Sequence, residues 1–356
     1  MVHGGDVYTE GILKGKELID FSSNINPLGV PESFKLHVNE GVEALVRYPD
    51  IKYRRLKEAL SEYAEINKDY LVLGNGAAEL LDLAIGSVKS IALVVPSFAE
   101  YELSCKKWNV SIKYIHLQER NIKDKLYEKY IDYNDIIEAL KYNEALMIAN
   151  PNNPNGSIIE KNKFKDILEY AEENNKILII DEAFIEFVGD IKLSLKDYVE
   201  KYKCLFIVRA LTKFFAMPGI RLGYGFSSNE EFLNTIKKKQ NPWNINSFAE
   251  IAGVYVLKDK EYIENSLKWI KNERDFMINS LLKIKVIKKV YKTHGNFVLV
   301  ELEENLDCNK LYEKLFEKSI LIRKANNYVN LNDKYVRFAI KDREKNKILI
   351  EALKDL

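Results

Sequence analysis

The sequence predicts an α/β protein: a large domain on a mostly parallel central sheet, joined to a smaller α+β domain. Three observations lead there. Short continuous apolar runs end in a polar or turn residue, a helix-period stripe lies between two of them, and after about Asn241 the texture changes.

Taken in order, Leu93-Val94-Val95-Pro96, Leu146 to Asn150, Ile177 to Asp181 and Leu205 to Arg209 read as strands covered on both faces, because none alternates polar with apolar. Between the second and third, Phe164, Ile167, Leu168 and Ala171 fall at i, i+3, i+4 and i+7, the buried stripe of an amphipathic helix. In parallel sheets built this way ligands gather beyond the carboxyl ends of the strands. A Lys/Glu-rich helical stretch then runs to about Lys285, and Asn296 to Leu302 and Val336 to Ile340 read as strands of a separate unit. The expected organisation is an N-terminal segment of the small domain over 1–45, the large domain over 46–244, and the C-terminal small domain over 245–356.

Composition narrows the function. A chain of 356 residues with 47% apolar and 30% charged residues is long enough for one large core with a companion. Its 54 basic and 53 acidic residues are interspersed, which argues against a nucleic-acid or membrane partner. Cys105, Cys204 and Cys308 are isolated, so neither a disulfide framework nor a thiolate zinc site is expected, and no metal. No apolar run approaches the roughly 20 residues of a membrane span, and no signal core follows Met1, so a cytoplasmic protein is expected.

Four features fall at strand ends or loops. Gly74-Asn75-Gly76-Ala77-Ala78-Glu79 opens an apolar helix, and free N–H groups at a helix start make a phosphate cradle where glycine permits close approach. It lacks the Gly-Lys-Ser/Thr of a nucleotide loop and the third glycine of a dinucleotide fingerprint. Asn150-Pro151-Asn152-Asn153-Pro154-Asn155-Gly156 follows a strand. Its prolines and glycine suit a rigid turn, but they leave four asparagines unexplained. Asp181 ends the most apolar strand, where a buried carboxylate favours the cationic form of a heterocycle set against it. Finally, Lys213 is flanked by apolar residues, with Arg221 eight positions on. Burial lowers a lysine's pKa and frees its amine to act as a nucleophile or proton shuttle.

In this order and spacing the four features resemble the fold-type I pyridoxal-phosphate enzymes, the aspartate-aminotransferase superfamily, over essentially the whole chain. The resemblance implies pyridoxal 5'-phosphate as cofactor, with Lys213 as its Schiff-base lysine, Asp181 on the pyridinium nitrogen and Asn153 on the ring hydroxyl. Arg221 and the amides of Gly76, Ala77 and Ala78 would hold the phosphate. Phe98, in Pro96-Ser97-Phe98-Ala99-Glu100-Tyr101, matches the ring that stacks on the pyridine. Tyr48, in Arg47-Tyr48-Pro49-Asp50, matches the tyrosine that reaches the neighbouring subunit's cofactor, which implies a homodimer with shared active sites. Two departures bear on the site. Ala210 stands where many relatives carry a phosphate-binding hydroxyl, leaving Thr212 as a substitute, and Phe184 stands where many aminotransferases have tyrosine.

Within the superfamily the texture is similar to two sister groups, the histidinol-phosphate aminotransferases and the threonine-phosphate decarboxylases. The opening His3-Gly4-Gly5-Asp6, Asp20 to Gly29, Asp181 to Phe184, Leu211 to Phe214 and Pro242 to Asn246 look like the second group. That resemblance implies decarboxylation of L-threonine O-3-phosphate to (R)-1-aminopropan-2-yl phosphate for cobalamin biosynthesis. His3, Asn24, Arg323 and Arg337 would bind the substrate's phosphate and carboxylate, since arginine's planar fork suits either anion. The alternatives are a transaminase of the histidinol-phosphate type, a decarboxylase of serine phosphate, and a cofactor-binding regulator. The last would need a DNA-binding domain, for which no room is expected ahead of His3.

Overall fold

A computed structural model describes residues 4–356, and two sheets organise it. The larger has seven strands in the order Leu71–Asn75, Leu222–Phe226, Leu205–Ala210, Ile177–Asp181, Ala145–Ala149, Ser90–Val95 and Ser111–His116. Leu222–Phe226 runs antiparallel to both neighbours, and every other pairing is parallel. Ala145–Ala149 and Leu205–Ala210 are buried throughout, as continuous apolar runs require when helices cover both faces. One such helix, Lys161–Glu173, buries the predicted stripe of Phe164, Ile167, Leu168 and Ala171.

Three strands of this sheet escape a pattern reading. Ser111–His116 is an edge strand, mostly exposed or half-buried. Leu71–Asn75 and Leu222–Phe226 contain glycines that interrupt the apolar run, and those glycines are needed where they stand. A Cβ on Gly223 would lie 2.3 Å from the Ala77 nitrogen, and one on Gly225 would lie 2.6 Å from the Phe206 ring. Missing side chains let the helix Ala77–Ile85 and a core ring press directly on the strand.

The second sheet has six strands in the order Arg323–Lys324, Tyr335–Ala339, Phe297–Leu302, Ile287–Tyr291, Leu126–Tyr130 and Gln118–Lys123. Its last two strands form a hairpin that lies inside the 46–244 range, so the sheets do not follow a division at residue 244. Glu119 accepts hydrogen bonds from Lys289 and Tyr291, and this ionic clamp fixes the hairpin to the C-terminal strands. At the other end of the chain, Ile19–Asp20 pairs in parallel with Ile320–Leu321.

The helical stretch after Asn241 is two helices, Ser247–Val256 and Lys260–Leu281, the second begun where the Asp259 side chain accepts from the Tyr262 amide. The first packs on the helix Arg54–Ala64, with Gly253 set so closely against Leu56 that a Cβ would lie 2.4 Å from it. No helix among the described residues is long and apolar enough to cross a membrane.

Candidate active site

Beyond the carboxyl ends of the strands Ala145–Ala149, Ile177–Asp181 and Leu205–Ala210 lies a cavity of about 470 Å³. It is walled on the far side by residues of the second sheet and of the segment Ser22 to Asn24. Of the residues singled out in the sequence, Asn24, Ala77, Ala78, Phe98, Asn153, Asp181, Thr212, Lys213, Arg221, Arg323 and Arg337 line it together.

Lys213 sits in the short helix Leu211–Phe214 that follows the strand Leu205–Ala210. Burial pushes its amine down to about 8; Arg337 and Arg221 add to the shift and Asp181 opposes it. Asp181 is buried, and burial raises its pKa. Two hydrogen bonds work the other way: the Tyr101 hydroxyl donates to Oδ2 at 2.6 Å and the Ala183 amide donates to Oδ1 at 2.8 Å. Next to it, Glu182 is wholly buried and neutralised by Arg209, whose guanidinium donates at 2.9 and 3.1 Å to one carboxylate oxygen. The strand end thus holds two adjacent carboxylates, and one has a permanent internal counter-charge.

A cradle for an anionic group stands at the start of the helix Ala77–Ile85. Gly76 precedes it at φ +81°, and a Cβ there would lie 2.3 Å from the Arg221 guanidinium. Arg221 is itself in the left-handed region, at φ +57°, with its guanidinium donating to the Pro218 carbonyl at 3.1 Å. Two glycines, Gly76 and Gly223, therefore bring a cation and a helix N-terminus together with no side chain between them.

The opposite wall is cationic. Arg337 is buried and forms no ion pair among the described residues. It donates to the Asn153 side-chain oxygen at 2.6 Å, to Tyr328 at 3.2 Å and to the Ser22 carbonyl at 2.7 Å, and its Nε has no partner. Arg323, also buried, donates to Asn327 at 2.8 Å and lies over the Tyr328 ring. Asn24 is buried with its Oδ1 unpartnered. The buried Arg337 guanidinium, bonded only to neutral groups among the described residues, is an electrostatic demand for an anion.

One predicted residue stands apart. Tyr48 is 77% exposed, stacked on Trp243, and does not line the cavity of its own chain. His3 lies outside the described residues. Gly4 lines the cavity, and the Gly5 amide donates to the Ser22 hydroxyl at 2.7 Å. The sequence reading passed over Tyr101, Tyr328 and the Arg209–Glu182 pair. Only Tyr101 carried a local signal, three positions after Phe98 in a helix that starts at Glu100.

The residues present fit a phosphorylated aromatic cation: an anion cradle at Gly76 and Arg221, a buried carboxylate at Asp181, and an amine at Lys213 whose charge burial disfavours. A family model described as Aminotransferase class I and II matches residues 16–353. A protein of Caldanaerobacter subterraneus subsp. tengcongensis, named provisionally as a threonine-phosphate decarboxylase, is 41% identical over 99% of this chain and 93% of its own length. The threonine-phosphate decarboxylase of Salmonella typhimurium is 31% identical over 99% of this chain and 96% of its own. A solved structure from Clostridium acetobutylicum, titled a histidinol-phosphate aminotransferase, is 50% identical with a TM-score of 0.90, covering 95% of this chain and 98% of that one.

Proposed function

This chain belongs to the aminotransferase class I and II family, and on that footing we propose that it is a pyridoxal-phosphate enzyme that decarboxylates L-threonine O-3-phosphate, giving the aminopropanol phosphate of cobalamin biosynthesis. The observation that carries the reading is the pairing, in one cavity, of Lys213 and Asp181 with two buried arginines, Arg323 and Arg337. A substrate bearing both a phosphate and a carboxylate answers both cations.

The cofactor, when bound, supplies an electron sink for the bond broken at the substrate's Cα. Asp181 would hold a proton on its ring nitrogen, Asn153 its ring hydroxyl, Phe98 one ring face, and Arg221 with the amides of Gly76, Ala77 and Ala78 its phosphate. Thr212 would add a hydroxyl where Ala210 offers none. Arg323 and Arg337, with Asn24 and His3, would grip the two anions and so select which bond at Cα is broken. Where the bond broken is the one to the carboxylate, its carbon would leave as carbon dioxide and Lys213 would return a proton to Cα.

A second reading has its own support, because the 50% identical structure is titled a histidinol-phosphate aminotransferase. On that reading Lys213 removes the Cα proton instead. Incubation with threonine phosphate and no keto acid separates the two. Carbon dioxide released over many turnovers supports the decarboxylase, and no release with glutamate-dependent transamination overturns it. Serine phosphate in the same assay tests the methyl group, whose pocket is worth about 1–3 kcal/mol. Lys213→Ala is expected to lose the visible absorbance of the bound cofactor.

A homodimer accompanies this reading. Leu36, Val42, Leu45, Val46, Tyr48 and Ile51 are exposed in one stretch, and a second copy would cover them and carry Tyr48 to the neighbouring site. Sedimentation of Val46→Asp is expected to show more monomer than wild type. The cytoplasm suits three buried cysteines that are all free.

A further inference from the structure

Tyr101 is buried, and the only hydrogen bond of its hydroxyl among the described residues runs to Asp181 Oδ2, at 2.6 Å. The turn that presents it also presents Phe98: the Tyr101 amide donates to the Phe98 carbonyl at 3.2 Å, and the two rings meet edge to face at 5.8 Å. The stacking ring and the hydroxyl are therefore placed by one piece of backbone. We propose that Tyr101 is a positioning residue that keeps the shared proton on the cofactor's ring nitrogen instead of on Asp181. The inference rests on the cofactor reading above.

The physical reason is a competition for one proton. A carboxylate buried among apolar groups becomes basic, and next to a pyridine nitrogen it can take the proton and leave the ring neutral, which removes the electron sink. Each hydrogen bond donated to the carboxylate favours its anionic form and lowers that basicity. The groups facing Asp181 are few. Glu182 is held in its ion pair with Arg209, Lys213 lies across the cavity, and the Ala183 amide occupies Oδ1. Tyr101 is thus the one side chain bonded to Asp181 among the described residues, and burial keeps its hydroxyl protonated and able to donate. A phenylalanine here would preserve the packing against Phe98 and remove the donor.

The test reads the ring nitrogen directly. Holoenzyme is reconstituted with pyridoxal phosphate carrying ¹⁵N in the ring, and its nitrogen resonance is recorded for wild type, Tyr101→Phe and Tyr101→His. Wild type is expected at the pyridinium position, Tyr101→Phe shifted towards that of a neutral pyridine, and Tyr101→His, which restores an N–H donor, back near wild type. The visible absorption band reports separately whether cofactor is bound, so its absence from wild type would defeat the cofactor reading and this inference with it, an outcome distinct from failure of the inference alone. Tyr101→Phe with the band present and the nitrogen resonance unmoved overturns the proposal. Should that variant not fold, a neutral-pyridine resonance in Tyr101→His overturns it.

Discussion

Arg323 and Arg337 stand directly opposite each other across the antiparallel pair formed by Arg323–Lys324 and Tyr335–Ala339, both buried on the wall of the cavity. Two like charges in cross-strand register are unfavourable unless an anion joins them. A ligand anion reaching Arg337, which has no ion pair among the described residues, would relieve that repulsion. Arg337→Met is expected to weaken threonine phosphate binding by at least about 30-fold, since losing a buried charged partner costs about 2–5 kcal/mol and each 1.4 kcal/mol is tenfold. Inorganic phosphate is expected to raise the melting temperature of wild type and to leave that of Arg337→Met unmoved. Arg337→Lys should recover only part of the affinity, because a point charge cannot reproduce the fork that bonds Asn153 and Ser22. Calorimetry checks the affinities and a thermal scan checks the rise.

Gly76→Ala is expected to raise the dissociation constant for pyridoxal phosphate at least about tenfold, or about 1.4 kcal/mol, because the new Cβ displaces the Arg221 guanidinium. Gly189→Ala is the control. It shares the left-handed backbone, at φ +84°, but faces open space, so it should cost roughly 1–2 kcal/mol of stability and leave cofactor affinity unchanged. Fluorescence titration with the cofactor distinguishes the two.

Glu186 is buried with Oε2 unpartnered, and burial pushes its carboxyl up to about 7. A raised carboxyl pKa means that the folded state binds the extra proton. The stability this lends is complete below about 4.5 and is lost as pH rises through 7. Glu186→Gln removes the titration, so its stability relative to wild type should climb across that window, by on the order of 3 kcal/mol at most. Urea unfolding at several pH values measures the slope, and parallel profiles would contradict it.

Glu182→Gln is expected to destabilise the fold by about 3–5 kcal/mol, because it leaves Arg209 charged and buried without its carboxylate. Replacing both partners with apolar residues should cost less than that single change, a non-additivity that a double-mutant cycle reads out.

Much of the large domain was legible because its signals are local. An apolar run ending in Asp181, a helix stripe from Phe164 to Ala171, and a lysine among apolar neighbours at Lys213 each depend on residues a few positions apart. The strands Leu71–Asn75 and Leu222–Phe226 were not legible, since their glycines are explained only by what presses on them: Leu80 on Gly74, and Ala77 and Phe206 on Gly223 and Gly225. Likewise nothing between Gln118 and Tyr130 says that this hairpin will extend the sheet of the other unit, because strand pairing is chosen by the partner edge and by charges such as Lys289.

The amino-acid order was sufficient for the class of fold and, through resemblance to a family, for the cofactor, and it named eleven of the residues that line the cavity, because strand ends and helix starts place such groups through short-range geometry. Folding added the relations among them. Tyr101 meets Asp181 across 80 positions and Arg337 meets Asn153 across 184, and neither pair shares any local pattern. Such bonds form when distant elements are packed into one low-dielectric core, where the desolvation of each polar group must be met by whichever partner the packing brings within reach.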